Sequence, residues 1–398
     1  VSVRYSLGII GGGQLARMMQ QAAIPLGIDV HLLAEGPDVS AAQVIPATIV
    51  GDYTDHATLA DFAQHCQVIT FDHEHVPTRH LRALEVAVRP GPDALQYAQD
   101  KADMRLKMQE LGVDCPAFVV CAGPDDAVSF GDAHGWPVIL KTSRGGYDGK
   151  GVWKIDDAAG VAEVFAHKPD ISAGERVRIV AEEYIPFVRE LSALVVRSWS
   201  GQVVAYPISE TVQRDGICVE TTTPAPGLGE ERAARLQQMA IHIATALGTV
   251  GVLAVELMEA PDGRIVVNEL AMRPHNTGHW SIDGAVTSQF DNHLRAVLDL
   301  PLGAPDLRAD VVVMANVLGG SEMDLTGALQ HVYARDREAK VHLYGKEVRP
   351  GRKVGHVTCT GSDVADVQRR ARHAANYLMG IDDRDDHDNA PEEGITGD

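Results

Sequence analysis

Apolar residues come in short runs, and the spacing between them divides the chain into three stretches. In the first, SLGII is a compact apolar run followed by GGGQLARMMQQAAIPLG, a helical segment closed by Gly27, and DVHLLA and QVITFD read as further strands. Strands alternating with helices predict a parallel α/β sheet. DALQYAQDKADMRLKMQELG, around Asp93–Gly112, reads as one helix with Gly112 as its stop signal, and a first domain boundary falls near Lys101.

The middle stretch changes character. WPVILKT, GVWKI, VRIVAEEYI, ELSALVVRSW and QVVAYPI are short β-type runs separated by glycine, proline or charged turns, which predicts antiparallel sheet. A helix follows in GEERAARLQQMAIHIATALG, then two strands, VGVLAVELM and RIVVNEL, around a Pro-Asp-Gly turn. A third stretch opens near Pro301, with DVVVMANVLG, KVHLYGKEV and KVGHVTC as strands and VADVQRRARHAANYLM as an amphipathic helix.

Composition narrows the function. With 398 residues, 45% of them hydrophobic, the chain suffices for two or three packed domains, and no window approaches the roughly 18 consecutive apolar residues of a membrane span. The opening VRYSLGII reads as a strand and lacks the marks of a signal peptide. Five scattered cysteines, none in a CxxC pair, suit a reducing cytoplasm and argue against structural zinc. A formal net charge of −20 disfavours a nucleic-acid partner. Screening within about 8 Å still lets a local basic cluster hold a small anion. The end Asp382–Asp398 carries eight acids against one arginine and reads as a solvated tail.

GGGQLA at Gly11–Ala16, between a strand and a helix, has the GxGxxG/A spacing whose backbone N–H groups face an anionic group. Glu35 ends the next strand, where a ribose-binding acid belongs. A tight turn without a ligand is the alternative. SRGGYDGKG at Ser143–Gly151 is sharper: Lys141 enters a loop with four glycines in seven residues, and VWKI leaves it. No P-loop ending follows. Such a loop can fold over a triphosphate with its amides as donors, Lys141 adding a positive charge and Tyr147 and Asp148 facing the substrate. A mobile hairpin tip is the alternative.

VGVLAVELMEAPDGRIVVNELAMRPHNTGHW reads as a hairpin about Asp262-Gly263. A two-residue turn pairs residues whose numbers sum to 525, setting Glu256 opposite Glu269 on one face of the sheet, whereas a three-residue turn shifts the sum to 524. Facing carboxylates repel unless a cation lies between them, and Mg2+ bridging ATP phosphates uses one or two carboxylates plus phosphate oxygens. Asn268 adjoins as an oxygen donor, although alternation points it to the other face. A surface hairpin with fortuitous acids is the alternative.

Beyond the hairpin, Arg273, His275 and Asn276 place a cation, a titratable ring and an amide in one loop able to hold a small oxyanion. KEVRPGRKVGH gathers Lys346, Arg349, Arg352 and Lys353 within eight residues, a receptor for a phosphate monoester or else a solvated basic turn. His73 and His75 lack a third metal ligand of matching spacing, so Glu74 between them is the better ligand contact.

Together, GGGQLARM, TFDHEHVP, KTSRGGYDGKG, NELAMRPHNTGHW and KEVRPGRKVGH resemble the ATP-grasp superfamily and, within it, the N5-carboxyaminoimidazole ribonucleotide synthetases of purine biosynthesis. The likeness runs from about Ser6 to Met379. It implies an α/β and α+β chain of ATP-grasp architecture, with a Rossmann-like domain over 1–100, a two-lobed ATP-grasp domain over 101–300, a small β-rich C-terminal domain over 301–380 and the acidic tail over 381–398. It further implies that ATP phosphorylates bicarbonate to carboxyphosphate, which carboxylates the exocyclic amine of aminoimidazole ribonucleotide.

By the same resemblance, ATP would meet Lys101, Lys141, the loop residues Gly146, Tyr147, Asp148, Gly149, Lys150, Gly151 and Val152, and the adenine-edge residues Glu182, Glu183, Tyr184 and Ile185. Glu190 would bind the ribose, and Gln213, Asn268 and Glu269 complete the nucleotide site. Mg2+, or Mn2+ in its place, would sit on Glu256 and Glu269. Arg273, His275 and Asn276, with Asp148, would handle bicarbonate or carboxyphosphate. Gly13, Gln14, Leu15, Glu74, Tyr147, Lys346, Arg349, Arg352 and Lys353 would meet the ribonucleotide. Gln213 stands where relatives often have His, Lys101 where Arg is common, and Ala271-Met272 where some have Ala-Pro. A cytoplasmic homodimer without nucleic-acid or membrane partners is expected.

Three other readings share part of the pattern. A formate-dependent glycinamide ribonucleotide transformylase or a biotin carboxylase would keep the lysine, glycine loop and paired acids, but not the GGYDGKG and KEVRPGRKVGH segments. An NAD-dependent oxidoreductase would use GGGQLA and leave the hairpin acids without a purpose. A non-catalytic nucleotide sensor would not need Arg273, His275 and Asn276.

Overall fold

The computed structural model describes residues 5–145, 151–166 and 177–381. The predicted acidic tail from Asp382 onward and the loop positions Gly146, Tyr147, Asp148, Gly149 and Lys150 lie outside the described residues.

The first third forms the parallel sheet that its alternation predicts. β1 (Ser6–Ile10), α1 (Gln14–Leu26), β2 (Asp29–Ala34), β3 (Ala47–Val50), α2 (His56–Ala63), β4 (Val68–Phe71), α3 (Thr78–Leu81), β5 (Ala87–Val88) and α4 (Pro92–Gln99) follow in order. The strands stand as β3-β2-β1-β4-β5, all parallel. α1 buries Leu15, Ala16, Met18, Met19 and Ala23 in the adjoining core, each large side chain contributing about 1.5–3 kcal/mol. It ends at Gly27, whose φ of 64° supplies a left-handed cap at no steric cost.

The single helix expected across Asp93–Gly112 is two. α4 stops at Gln99, and α5 (Lys101–Glu110) begins after Asp100, which is extended at φ −128° and ψ 107°. The buried Asp100 carboxylate accepts from the N–H groups of Ala102 and Asp103 and pairs with Arg144 and Arg178. Capping a new helix start while answering two distant arginines outweighs the helical propensity on either side.

β6 (Phe118–Cys121), α6 (Pro124–His134), β7 (Val138–Thr142), β8 (Val152–Ile155), α7 (Ala158–Ala166) and β9 (Ile179–Glu183) follow α5. Their strands form an antiparallel sheet, β6-β9-β7-β8. Next come β10 (Arg189–Arg197), β11 (Val203–Ala205), β12 (Ser209–Arg214), β13 (Ile217–Thr223), α8 (Glu230–Ala246), β14 (Gly251–Glu259) and β15 (Ile265–Ala271). A 3-10 turn (Asn276–Gly278), α9 (Ser281–Gly284) and α10 (Gln289–Val297) lead to β16 (Val311–Leu318), α11 (Leu325–Arg335), β17 (Lys340–Leu343), β18 (Lys353–Gly361) and α12 (Val364–Met379).

β10 to β18 share one antiparallel sheet in the order β15-β14-β10-β12-β13-β16-β18-β17, with β11 beside β10. α6, the β12–β13 pair and α11 are additions to the predicted elements. The pair turns at Asp215, held at φ 52°, and Gly216, so its two strands are too short and polar to stand out as apolar runs. Among the described residues no helix is long and apolar enough to cross a membrane.

Candidate active site

β14 and β15 meet in the hairpin that carries the two acids. Its tip is a three-residue loop, not the expected two-residue turn. Ala260 N–H donates to the Arg264 carbonyl, the Asp262 carboxylate accepts from Arg264 N–H at 2.9 Å, and Gly263 takes φ 84°. An aspartate closing on the amide two residues on, before a left-handed glycine, favours the longer loop. Near the tip, partners therefore sum to 524, as in Glu259 with Ile265 and Leu257 with Val267. A β-bulge at Asn268 then restores 525, so that Glu256 does face Glu269. The bulge also brings Asn268, which plain alternation points away, onto the site, where its Oδ1 accepts from Lys141 Nζ at 3.2 Å.

Both acids have a basic partner. Lys101 Nζ lies 2.6 Å from Glu269 Oε1, and His275 Nε2 lies 3.2 Å from Glu256 Oε1. Burial pushes the Glu256 carboxyl up, but His275, Arg273 and Lys101 more than offset this and hold it below the usual carboxylate range. His275 Nδ1 bonds Thr277, which bonds Ser192, and Gln289 accepts from the His275 N–H and donates to its carbonyl. Asn276 lies beside Cys218, and among the described residues its buried carboxamide has no other hydrogen-bond partner. Burial and the charge of Glu256 push the Glu190 carboxyl up to about 7.

Two carboxylates with an amide oxygen beside them form a hard oxygen set of the kind Mg2+ takes together with phosphate oxygens. Among the described residues no group of three or more His, Cys, Asp or Glu side chains forms a metal site. Two carboxylates and one amide oxygen leave most positions of a six-coordinate cation to oxygens from outside the protein.

Lys141, only 8% exposed, lies 2.9 Å from Glu182 Oε2. Burial raises the Glu182 carboxyl, yet Lys141 and Arg105 bring it down to about 2. The other predicted adenine-edge residues are placed differently. Glu183 accepts from Ala117 N–H and pairs with Arg264, Lys154 sits 4.7 Å over the Tyr184 ring, and Ile185 packs with Ala260 and Val266. Gly151, at φ 70°, accepts from Thr142 N–H, and Val152 opens β8. Gln213 lies at a second bulge, opposite Cys218.

The glycine turn before α1 is already filled. Gly12 N–H donates to Glu35, and Gly13 and Ala16 N–H donate to the two carboxylate oxygens of Asp72. The amides that the spacing offers to an anion thus meet the protein's own acids, and Glu35 is not free for a ribose. A hydrogen bond from His73, against the upward push of burial, holds the Glu35 carboxyl at about 2. The Leu15 side chain is in the core, so only its backbone can face a ligand. Gln14 accepts from Lys346 Nζ. Glu74 accepts from Met272 N–H and lies 3.4 Å from Arg273, tying the loop after β15 to the N-terminal sheet. Arg349 pairs with Glu347, Arg352 donates to the Glu347 carbonyl, and Lys353 begins β18.

Known proteins decide among the chemistries this site allows. Residues 5–99 match the family described as ribonucleotide synthetase preATP-grasp domain, 106–290 the ATP-grasp domain, and 312–370 the phosphoribosylaminoimidazole carboxylase C-terminal domain. The N5-carboxyaminoimidazole ribonucleotide synthase of Mycobacterium tuberculosis is 49% identical over 94% of this chain and 87% of its own. The chain belongs to the N5-carboxyaminoimidazole ribonucleotide synthases. It is an ATP-grasp ligase of purine synthesis that carboxylates aminoimidazole ribonucleotide with ATP. Solved structures agree in fold. The synthetase from Thermus thermophilus superposes with a TM-score of 0.83 at 36% identity, covering 95% of this chain and 99% of that one. The Aspergillus clavatus synthase, in complex with ADP and 5-aminoimidazole ribonucleotide, gives 0.85 at 29% identity, with the same coverage of 95% and 99%.

In this synthase-family chain, three side chains absent from the sequence reading shape the site. Asp72 fills the glycine turn, Gln289 clamps His275, and Arg105 meets Glu182 from inside α5. Arg105 lies in a helix rich in charged residues and looks there like a surface cation. Gln289 and Asp72 act on amides remote in sequence, where local pattern carries no signal.

Proposed function

We propose that the chain phosphorylates bicarbonate with ATP and passes the carboxyl group to the exocyclic amine of aminoimidazole ribonucleotide. The observation that carries this reading is the bulge that sets Glu256 opposite Glu269 while turning Asn268 to Lys141. Lys101, Lys141 and Asn268 receive the phosphate tail. Glu256 and Glu269 would hold Mg2+, or Mn2+, which when bound would neutralise phosphate charge. Glu190 meets the ribose, and Tyr184 and Ile185, just beyond the end of β9, line the adenine, with Gln213 nearby.

A bicarbonate oxygen attacks the terminal phosphorus, the bond to the β-phosphate oxygen breaks, and ADP departs. Arg273, His275 and Asn276 hold the resulting carboxyphosphate through charge and hydrogen bonds. Asn276 supports this assignment, because a buried amide without full partners costs about 1–3 kcal/mol unless a ligand completes it. The amine nitrogen then attacks the carboxyl carbon, the carbon–oxygen bond to phosphate breaks, and the nitrogen gives up a proton. The ribonucleotide lies among Gln14, the Leu15 backbone, Glu74 and Lys346, with Arg349, Arg352 and Lys353 toward its phosphate. The chain works in the cytoplasm as a homodimer, the state that the family resemblance implies.

ADP release measured against a panel of substrates tests the reading. Turnover is expected only with bicarbonate plus aminoimidazole ribonucleotide, and oxygen label from bicarbonate should appear in the released phosphate. Turnover with formate and glycinamide ribonucleotide instead would overturn the assignment, and unlabelled phosphate would exclude carboxyphosphate.

A further inference from the structure

Arg105 is the largest charged side chain fully removed from solvent in the described chain, and nothing in the chemistry above uses it. A guanidinium there needs every one of its donors answered. Its Nε and one terminal nitrogen fork onto both oxygens of Glu182, at 2.7 Å and 3.2 Å. The other terminal nitrogen donates to the Val267 carbonyl at 3.1 Å and also lies 3.3 Å from the Met104 sulfur.

These two contacts fall at informative places. Glu182 is the carboxylate that anchors Lys141, so one acid serves two buried cations. Val267 is the residue immediately before the bulge, at the point where β15 leaves regular pairing with β14. A bulge loses ladder bonds and needs outside support to persist. Arg105 supplies it from α5, and Val267 N–H is answered in turn by the Asp114 carbonyl at 2.9 Å.

We infer that Arg105 is a positioning residue for the phosphate-transfer site: it fixes Lys141 through Glu182 and fixes Asn268 through the Val267 carbonyl. Without the fork, Glu182 can rotate and take the Lys141 ammonium with it. Without the third bond, the bulge that aims Asn268 loses its brace. The node also holds two cations against one carboxylate, which leaves it one positive charge in surplus and receptive to a polyanion. Burial keeps Arg105 away from solvent and from the nucleotide, so it acts through Lys141 and Asn268 and touches no reacting atom.

This inference rests on the reading that the phosphates lie against Lys141. The test therefore compares the full chain with Arg105→Lys, Arg105→Met and Lys141→Met, reading ATP affinity by calorimetry, adenosine affinity by competition, and melting temperature. Arg105→Lys keeps the charge and loses the fork, and it serves alone if Arg105→Met does not fold. Both Arg105 variants should bind ATP at least about tenfold more weakly, Arg105→Met the more so, with adenosine affinity unchanged. Equal losses for ATP and adenosine would reduce Arg105 to a structural prop, and unchanged ATP affinity in folded variants would refute the inference outright. If Lys141→Met weakens ATP while the Arg105 variants do not, this inference alone fails. If Lys141→Met leaves ATP affinity intact, the phosphate placement fails and takes this inference with it.

Discussion

The glycine turn at Gly11–Ala16 and the β14–β15 hairpin both promise an anion site, yet they reach opposite states. In the turn, amides at the start of α1 bind Glu35 and Asp72, acids 23 and 59 residues further along the chain. In the hairpin, two acids that should repel each other meet Lys101 and His275, and the neighbouring Asn276 carboxamide keeps unmet hydrogen-bonding capacity. A motif identifies groups able to bind a charge. Whether a ligand or the protein itself occupies them is settled by distant neighbours, because every buried polar group must find some partner.

Removing one charged group from each region should therefore give contrasting results. In the hairpin region, Glu269→Ala and Lys141→Ala should each lower kcat by about 10²–10³, the range for losing one preorganised electrostatic group. Full turnover in both variants would place the phosphates elsewhere. In the turn, Asp72→Ala strips the acceptor from Gly13 and Ala16 N–H, so the loss should appear in stability, at about 1–3 kcal/mol in urea unfolding. ATP affinity should hold. Undiminished stability with a newly acquired dependence on added phosphate would mean that those amides serve a ligand after all.

Much of the fold was legible from local pattern, since β1, α1, β2, β4, α8, β14 and β15 follow directly from apolar runs and their glycine stops. The hairpin register is more instructive. The turn is one residue longer than the pattern suggested, and the bulge at Asn268 compensates, so the facing of Glu256 and Glu269 came out right although the turn did not. No local signal announces such a bulge. Its support comes from Arg105, far off along the chain (a separation of 162 to Val267). The break at Asp100 and the filling of the glycine turn escaped for the same reason, each being fixed by partners remote in sequence.

The smallest effect ties the glycine turn to substrate. Lys346 Nζ bonds Gln14, at the start of α1, and feels Asp72 beneath it. Burial, joined by the charges of Arg352 and Lys353 and opposed by the upward pull of Asp72, lowers its ammonium to about 8. The sign for stability is set by an unfolded value of 10.5: between about 8 and 10.5 the unfolded chain holds more protons, so this group makes stability rise with pH. A phosphate ligand needs the ammonium, so its binding runs the other way. KM for the ribonucleotide should climb about threefold between roughly pH 7.5 and 8.5 and stay flat across that interval in Lys346→Arg. Asp72→Asn removes the upward pull and should move the inflection to lower pH. Opposite pH trends in stability and KM distinguish a binding ammonium from general alkaline loosening, which would worsen both together. An inflection unmoved by both substitutions would assign the titration to another group and leave Lys346 as packing alone.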